Sequence, residues 1–171
     1  MNVEAKDWII NEDAKCRKVR IANLEWLINN TPNSKYWVFH GGIIAKYLFE
    51  EAKYCFVYSQ FLATIILGFA FIEHTLAAMF FAFGRNDLER ANVSKILKEA
   101  RKTGWLSNGE YQNLIEVKKI RNPIIHFRKP LHKDTIEFKA VLENKHQYDI
   151  IEEDAKYVMK VMLKLIDKNT I

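Results

Sequence analysis

The sequence predicts an all-α domain of about four to six helices packed around one long, buried central helix. Three observations carry that expectation. The chain has 171 residues, 49% hydrophobic and 13% aromatic, which suits a packed core and argues against disorder. Its apolar residues recur at the three-and-four spacing of helix faces. Its three prolines (Pro32, Pro123, Pro130) fall where turns or breaks fit, and there is no repeat or Pro/Gly/Ser linker. One domain over 1–171 follows, and a chain of this size buries about 70% of the surface its unfolded form exposes.

Residues 4–29 read as helix with a break near residues 11–13, and Val19, Ala22 and Trp26 are expected to share its packed face. Residues 29–34 read as loop. After Gly41-Gly42 comes the longest apolar region, with Gly68 as its one helix breaker, and beyond Phe61 it is apolar all round. Such a helix is expected to be buried on every side. A membrane span is the competing reading of residues 61–83, but Glu73 and His74 sit at its centre, where a charge costs about 2.5 to 3.5 kcal/mol to insert. A face shared with a second subunit explains the same pattern.

Residues 92–102 read as a short helix ending near Gly104. Ser107 and Glu110 match a capping box, in which each side chain satisfies the other's free backbone amide. The helix that starts there carries Tyr111, Leu114, Val117 and Arg121 along one stripe, so the arginine faces inward or toward a partner. Asn122-Pro123 should interrupt it, since proline lacks the amide donor and crowds the residue before it. Residues 127–148 stay open, with IEFKAVLE readable as helix or strand. Asp149 and Glu152 match a second capping box, opening a closing helix with Ile151, Ala155, Val158, Met162 and Leu165 on one face and Lys156, Lys160 and Lys164 on another.

Charge is concentrated. Residues 118–133 hold Lys118, Lys119, Arg121, Arg128, Lys129 and Lys133 and no acid, and taking these six from the net +5 leaves the rest of the chain at −1. One segment therefore carries the anion-binding potential. Cys16 and Cys55 are isolated thiols outside any Cys-x-x-Cys pair, which suits a reducing compartment. The start of the chain lacks the pattern of a secretory signal. A cytosolic location is expected. No Gly-rich phosphate loop, G-x-S-x-G elbow, HExxH or cluster of metal ligands is present, so no cofactor or metal is expected.

Arg121, Asn122 and His126 form an R-x4-H pattern at the break in a helix, inside the most basic stretch. In this the chain resembles the HEPN family, helical bundles with a long hydrophobic central helix and an R-x4-6-H motif often written with Asn after the Arg. The order of elements over about 45–165 fits, with an N-terminal helical segment at 1–40 and a HEPN-like core at about 41–171. The resemblance implies a homodimer with the motifs brought together, RNA as substrate, a toxin or antiviral-defence role and an antitoxin or defence-system partner protein. Arg121 and His126 become the catalytic pair, supported by Asn122 and by Glu73 as a buried partner that orients Arg121. Lys118, Lys119, Arg128, Lys129 and Lys133 become contacts to RNA phosphates. Histidine titrates near neutral pH and moves protons, and a guanidinium stays charged and forks onto phosphoryl oxygens, which suits metal-independent RNA cleavage. In the branch paired with nucleotidyltransferase antitoxins a tyrosine stands two residues after the histidine; here that residue is Arg128, so control by modifying the tyrosine does not carry over. Against this stand a plain reading, in which Arg121 pairs with Glu73 while His126 and His74 merely pack, and an alternative function as a non-catalytic nucleotide- or protein-binding dimerisation module.

Overall fold

The computed structural model describes residues 3–33 and 36–168. Among them are seven α-helices, one short 3-10 turn and no strand: α1 Val3–Asn30, α2 Gly42–Val57, α3 Phe61–Ala82, the turn Asn86–Leu88, α4 Val93–Lys102, α5 Asn108–Ile125, α6 Ile136–Glu143 and α7 Gln147–Asp167. The all-α expectation holds, with more helices than the four to six expected. One addition is α6, formed by the segment left open between helix and strand. Thr135 fixes its start by accepting from the Phe138 amide at 3.3 Å. Its stop is Asn144, whose left-handed backbone (φ 51°) ends the helix.

The long apolar region is a helical hairpin of α2 and α3, turned by residues 58–60 with Ser59 at φ 59°. No glycine or proline marks that turn, which is why sequence did not show it. Asn23 of α1 holds it instead: its Nδ2 donates to the carbonyls of Phe56 (3.2 Å) and Val57 (3.4 Å) and to Ser59 Oγ (3.0 Å). Those carbonyls lie at the open end of α2, where the Ser59 amide also reaches Phe56 at 3.1 Å. Gly41, at φ 92°, opens α2 where an added Cβ would meet Ala45 Cβ at 3.3 Å and the His74 carbonyl at 3.4 Å. Glycine lets the entry to α2 lie flat on α3.

The third helix is the hub: it packs on α2 and α7 most extensively and also on α4 and α5. Phe49, Phe71, Ile72, Leu76, Met159 and Met162 are fully enclosed there. The expectation of burial on every side is corrected, since Leu62, Ile66 and Phe81 of α3 remain exposed. Alpha3 is also the one helix among the described residues long and apolar enough to cross a membrane, and half of its most apolar window is buried within the fold.

The first helix runs without the break expected near residues 11–13. Its packed side is Asn23, Trp26 and Leu27, with Trp26 against Phe56 at 4.8 Å between ring centroids, while Val19 and Ala22 point to solvent. Three-and-four spacing admits two overlapping faces there, and Asn23 selects the other. The loop expected at 29–34 begins two residues later, after Asn30, and Ser34 lies outside the described residues. The second capping box is also corrected: α7 starts earlier, with His146 Nδ1 accepting the Tyr148 amide at 3.1 Å and Asp149 inside the first turn. The expected apolar face of α7 is otherwise in place, with Ala155, Val158, Met162 and Leu165 buried.

Candidate functional site

The helix carrying the motif is tied down at its start. Ser107 Oγ accepts the Glu110 amide at 3.2 Å while Glu110 accepts the Ser107 amide at 2.7 Å. Lys168, just past α7, adds an ion pair to Glu110 at 2.8 Å. Burial alone would push the Glu110 carboxyl up, but the hydrogen bonds from Lys168 and Ser107 outweigh it and hold the group at about 2. Leu114 and Val117 are then buried, and Ile120 and Ile124 pack against the core.

The expected interruption at Asn122-Pro123 does not occur: α5 continues through Pro123 to Ile125. A proline in the last turn removes one amide donor only, and the His126 amide still reaches the Asn122 carbonyl at 3.0 Å. Packing of Ile124 on the core keeps this turn helical. The chain leaves the helix at His126, which takes an extended backbone (φ −120°, ψ 120°) as the C-cap.

Arg121 is half-buried and turned onto α3, its Cζ 4.7 Å from the centre of the Phe69 ring. Glu73, one turn along α3, is half-buried rather than buried. Burial pushes its carboxyl up, and the charges of Arg121 and His74 pull it part of the way back. Arg121 therefore acts on Glu73 through space, with no direct ion pair between them among the described residues. His74 is exposed, which corrects its reading as a packing residue. His126 and Phe127 are both exposed, so the histidine does not pack behind the phenylalanine. Arg121 and His126 share no hydrogen bond. No family model, curated protein or solved structure matches this chain.

The five expected phosphate contacts divide. Lys118 turns toward α4 and donates to Ser94 Oγ at 2.7 Å. Lys119 pairs with Glu116 at 3.0 Å. Lys129 is exposed. Lys119, Arg128 and Lys133 line one open cleft between α5, residues 128–135 and α6, together with Asn122. Arg121 and His126 do not line it.

Sequence reasoning missed Thr135, Phe138, Lys139 and Asp154, which also line this cleft. Lys139 pairs with the buried Asp154 of α7 at 2.6 Å. Burial raises the Asp154 carboxyl and Lys139 counters it. A pair fifteen residues apart across two helices leaves no local pattern, whereas the Thr135 cap was legible as a threonine ahead of an apolar run. Among the described residues, no group of three or more His, Cys, Asp or Glu side chains is placed to hold a metal ion.

Proposed function

We propose that this chain is a metal-independent endoribonuclease of HEPN type that works as a homodimer, with Arg121 and His126 of both copies forming the site. The supporting observation is the setting of His126. It stands exposed at the end of α5, its imidazole makes no hydrogen bond among the described residues, and it opens a segment whose Arg128 and Lys133 have no carboxylate partner there. An imidazole so placed can take the ribose 2′-hydroxyl proton. The 2′-oxygen then attacks phosphorus, the bond to the 5′-oxygen breaks, and the leaving oxygen receives a proton from an imidazolium. The ends formed are a 2′,3′-cyclic phosphate and a 5′-hydroxyl. Arg121 would hold the charge that accumulates on the phosphoryl oxygens.

A second copy has a suitable surface to meet. Ala63, Ala70 and Ala77 recur every seven residues along α3 and are only half-buried, flanked by exposed Leu62, Ile66 and Phe81. Small residues at that repeat admit another helix closely. The stripe borders Phe69 and Glu73, the residues beside Arg121. Pairing along it would set two α5 ends at one interface, in a cytosolic protein of toxin or phage-defence type answering to an antitoxin or defence partner.

One observation favours the second reading, a non-catalytic nucleotide- or protein-binding dimerisation module: Arg121 lies on Phe69, turned away from any hydrogen bond with His126. The two readings separate on expression in bacteria. A nuclease predicts arrested growth for the wild type, normal growth for His126→Ala and new RNA ends that carry cyclic phosphate. Equal growth with intact RNA favours the binding module.

A further inference from the structure

The cleft between α5, residues 128–135 and α6 has a volume of about 460 Å³, within the roughly 300 to 1,000 Å³ of small-molecule sites. Its floor is apolar, with Ile120, Pro123, Ile136 and Phe138 in the lining beside the mostly exposed Leu142. Four cations rim it, of which Lys119 is neutralised by Glu116 and Lys139 by Asp154. The rim acid Asp134 adds a carboxylate of its own, since His132, whose Nδ1 lies 3.6 Å from Oδ2, accepts the Asp134 amide at that nitrogen and balances the acid only when protonated. Two cations stand outside any ion pair on this rim, against the single carboxylate of Asp134. Arg128 donates only to the Phe127 backbone carbonyl at 3.2 Å, and Lys133 has no partner among the described residues.

Two cations on one rim, neither held in an ion pair, can meet a phosphate group, and the guanidinium can fork onto two of its oxygens. The start of α6, its cap Thr135 and its first residue Ile136, forms part of the same wall, so the partial positive charge of a helix start adds to the field. Phosphate alone leaves the rest of the cleft unused. Phe138 keeps 36% of its surface exposed on the apolar floor, and a phenyl ring there offers a flat face to a base. Asn122 brings an amide with both a donor and an acceptor to the same wall.

We propose that this cleft is a nucleotide site, with the phosphate on Arg128 and Lys133, the base against Phe138 and Asn122 at the base edge. It lies away from Arg121, which turns to α3, and is a binding site in its own right whether or not the chain cleaves RNA. The nucleotide is either a free nucleoside 5′-phosphate or one unit of a single-stranded RNA.

The test is calorimetric titration of the full chain carrying His126→Ala, which keeps RNA intact, with adenosine 5′-monophosphate, inorganic phosphate and a five-nucleotide RNA. Adenosine monophosphate is expected to bind at least about fivefold more tightly than phosphate, the lower bound for one stacked base. Arg128→Ala with Lys133→Ala should weaken it tenfold or more, and Phe138→Ala should remove the advantage over phosphate while phosphate binding stays. Thermal melts confirm that each variant is folded; if Phe138→Ala unfolds α6, Phe138→Leu keeps the apolar floor without the flat ring. Mononucleotide binding without RNA binding supports a free-nucleotide site. RNA binding with the same residue dependence, with or without the mononucleotide, supports a site within a strand. The proposal is overturned if neither ligand binds, if phosphate binds as tightly as the nucleotide while the RNA shows no dependence on Phe138, or if the Arg128 and Lys133 changes have no effect. Wild-type cleavage of RNA would survive that failure, so the two claims fall separately.

Discussion

Gly68 of α3 and Val158 of α7 approach so closely that a Cβ on Gly68 would lie 2.8 Å from Val158 Cγ1. That contact sets how deeply α7 sinks onto the central helix. Gly68→Ala gains about 1 kcal/mol of helix propensity but must push α7 outward, at a typical overpacking cost of about 1 to 3 kcal/mol. A net loss of stability is expected in urea melts. Val158→Ala should relieve part of it, so the double variant should be less destabilised than the sum of the two single ones. Additive losses would show that the two helices do not depend on this contact.

The turn between α2 and α3 depends on Asn23. Its amide answers two carbonyls and a hydroxyl, and it is 4% exposed. Asn23→Leu should cost about 1 to 3 kcal/mol, because the Val57 carbonyl and the Ser59 hydroxyl lose the Asn23 donor while the Phe56 carbonyl keeps the Ser59 amide. Asn23→Asp should be worse still, since it sets a carboxylate against two carbonyl oxygens. Chemical denaturation reads both, and a loss below about 0.5 kcal/mol for either, the ordinary range of a surface change, would contradict the anchoring role.

The fold was legible in the sequence where local chemistry fixes it. The Ser107–Glu110 box, the Asn92 cap and the apolar face of α7 all depend on residues within one or two turns of each other. The turn at 58–60 was not, because Asn23 reaches it across more than thirty residues. Pro123 misled for a related reason: its local cost is outweighed by Ile124 packing on a core assembled from distant helices. At the candidate site, the basic segment was visible but its division was not. Lys118 is diverted by Ser94 and the cleft is completed by Lys139 and Asp154, all placed by tertiary contacts.

Acid should loosen the joint between the start of α5 and the end of α7. Glu110 is held at about 2, below the usual carboxylate value, so its contribution is present above about pH 4.5 and is lost as pH falls toward 2. The pair is partly exposed, so the contribution is below about 1 kcal/mol after solvent screening. Glu110→Gln should lower Tm by up to about 4 °C at pH 7 and by much less at pH 2. A difference undiminished at pH 2 would place the effect elsewhere.

Glu73 should behave in the opposite sense. Its carboxyl is raised by burial, so ionisation opposes folding and stability is lost as pH rises through its folded value. Glu73→Gln is therefore expected to be at least as stable as the wild type at pH 7, with the gap closing below pH 4. Melting curves across that range decide it. A marked loss of stability at pH 7 would mean that Arg121 stabilises the carboxylate by more than burial costs it.

The central claim is that Arg121 and His126 cut RNA. Purified wild type, Arg121→Ala and His126→Ala, each shown by melting and light scattering to be folded and dimeric, are incubated with total RNA in EDTA. Cleavage by the wild type alone, leaving 2′,3′-cyclic phosphate ends, is the predicted result; no cleavage by the wild type, or equal cleavage by all three, would contradict it.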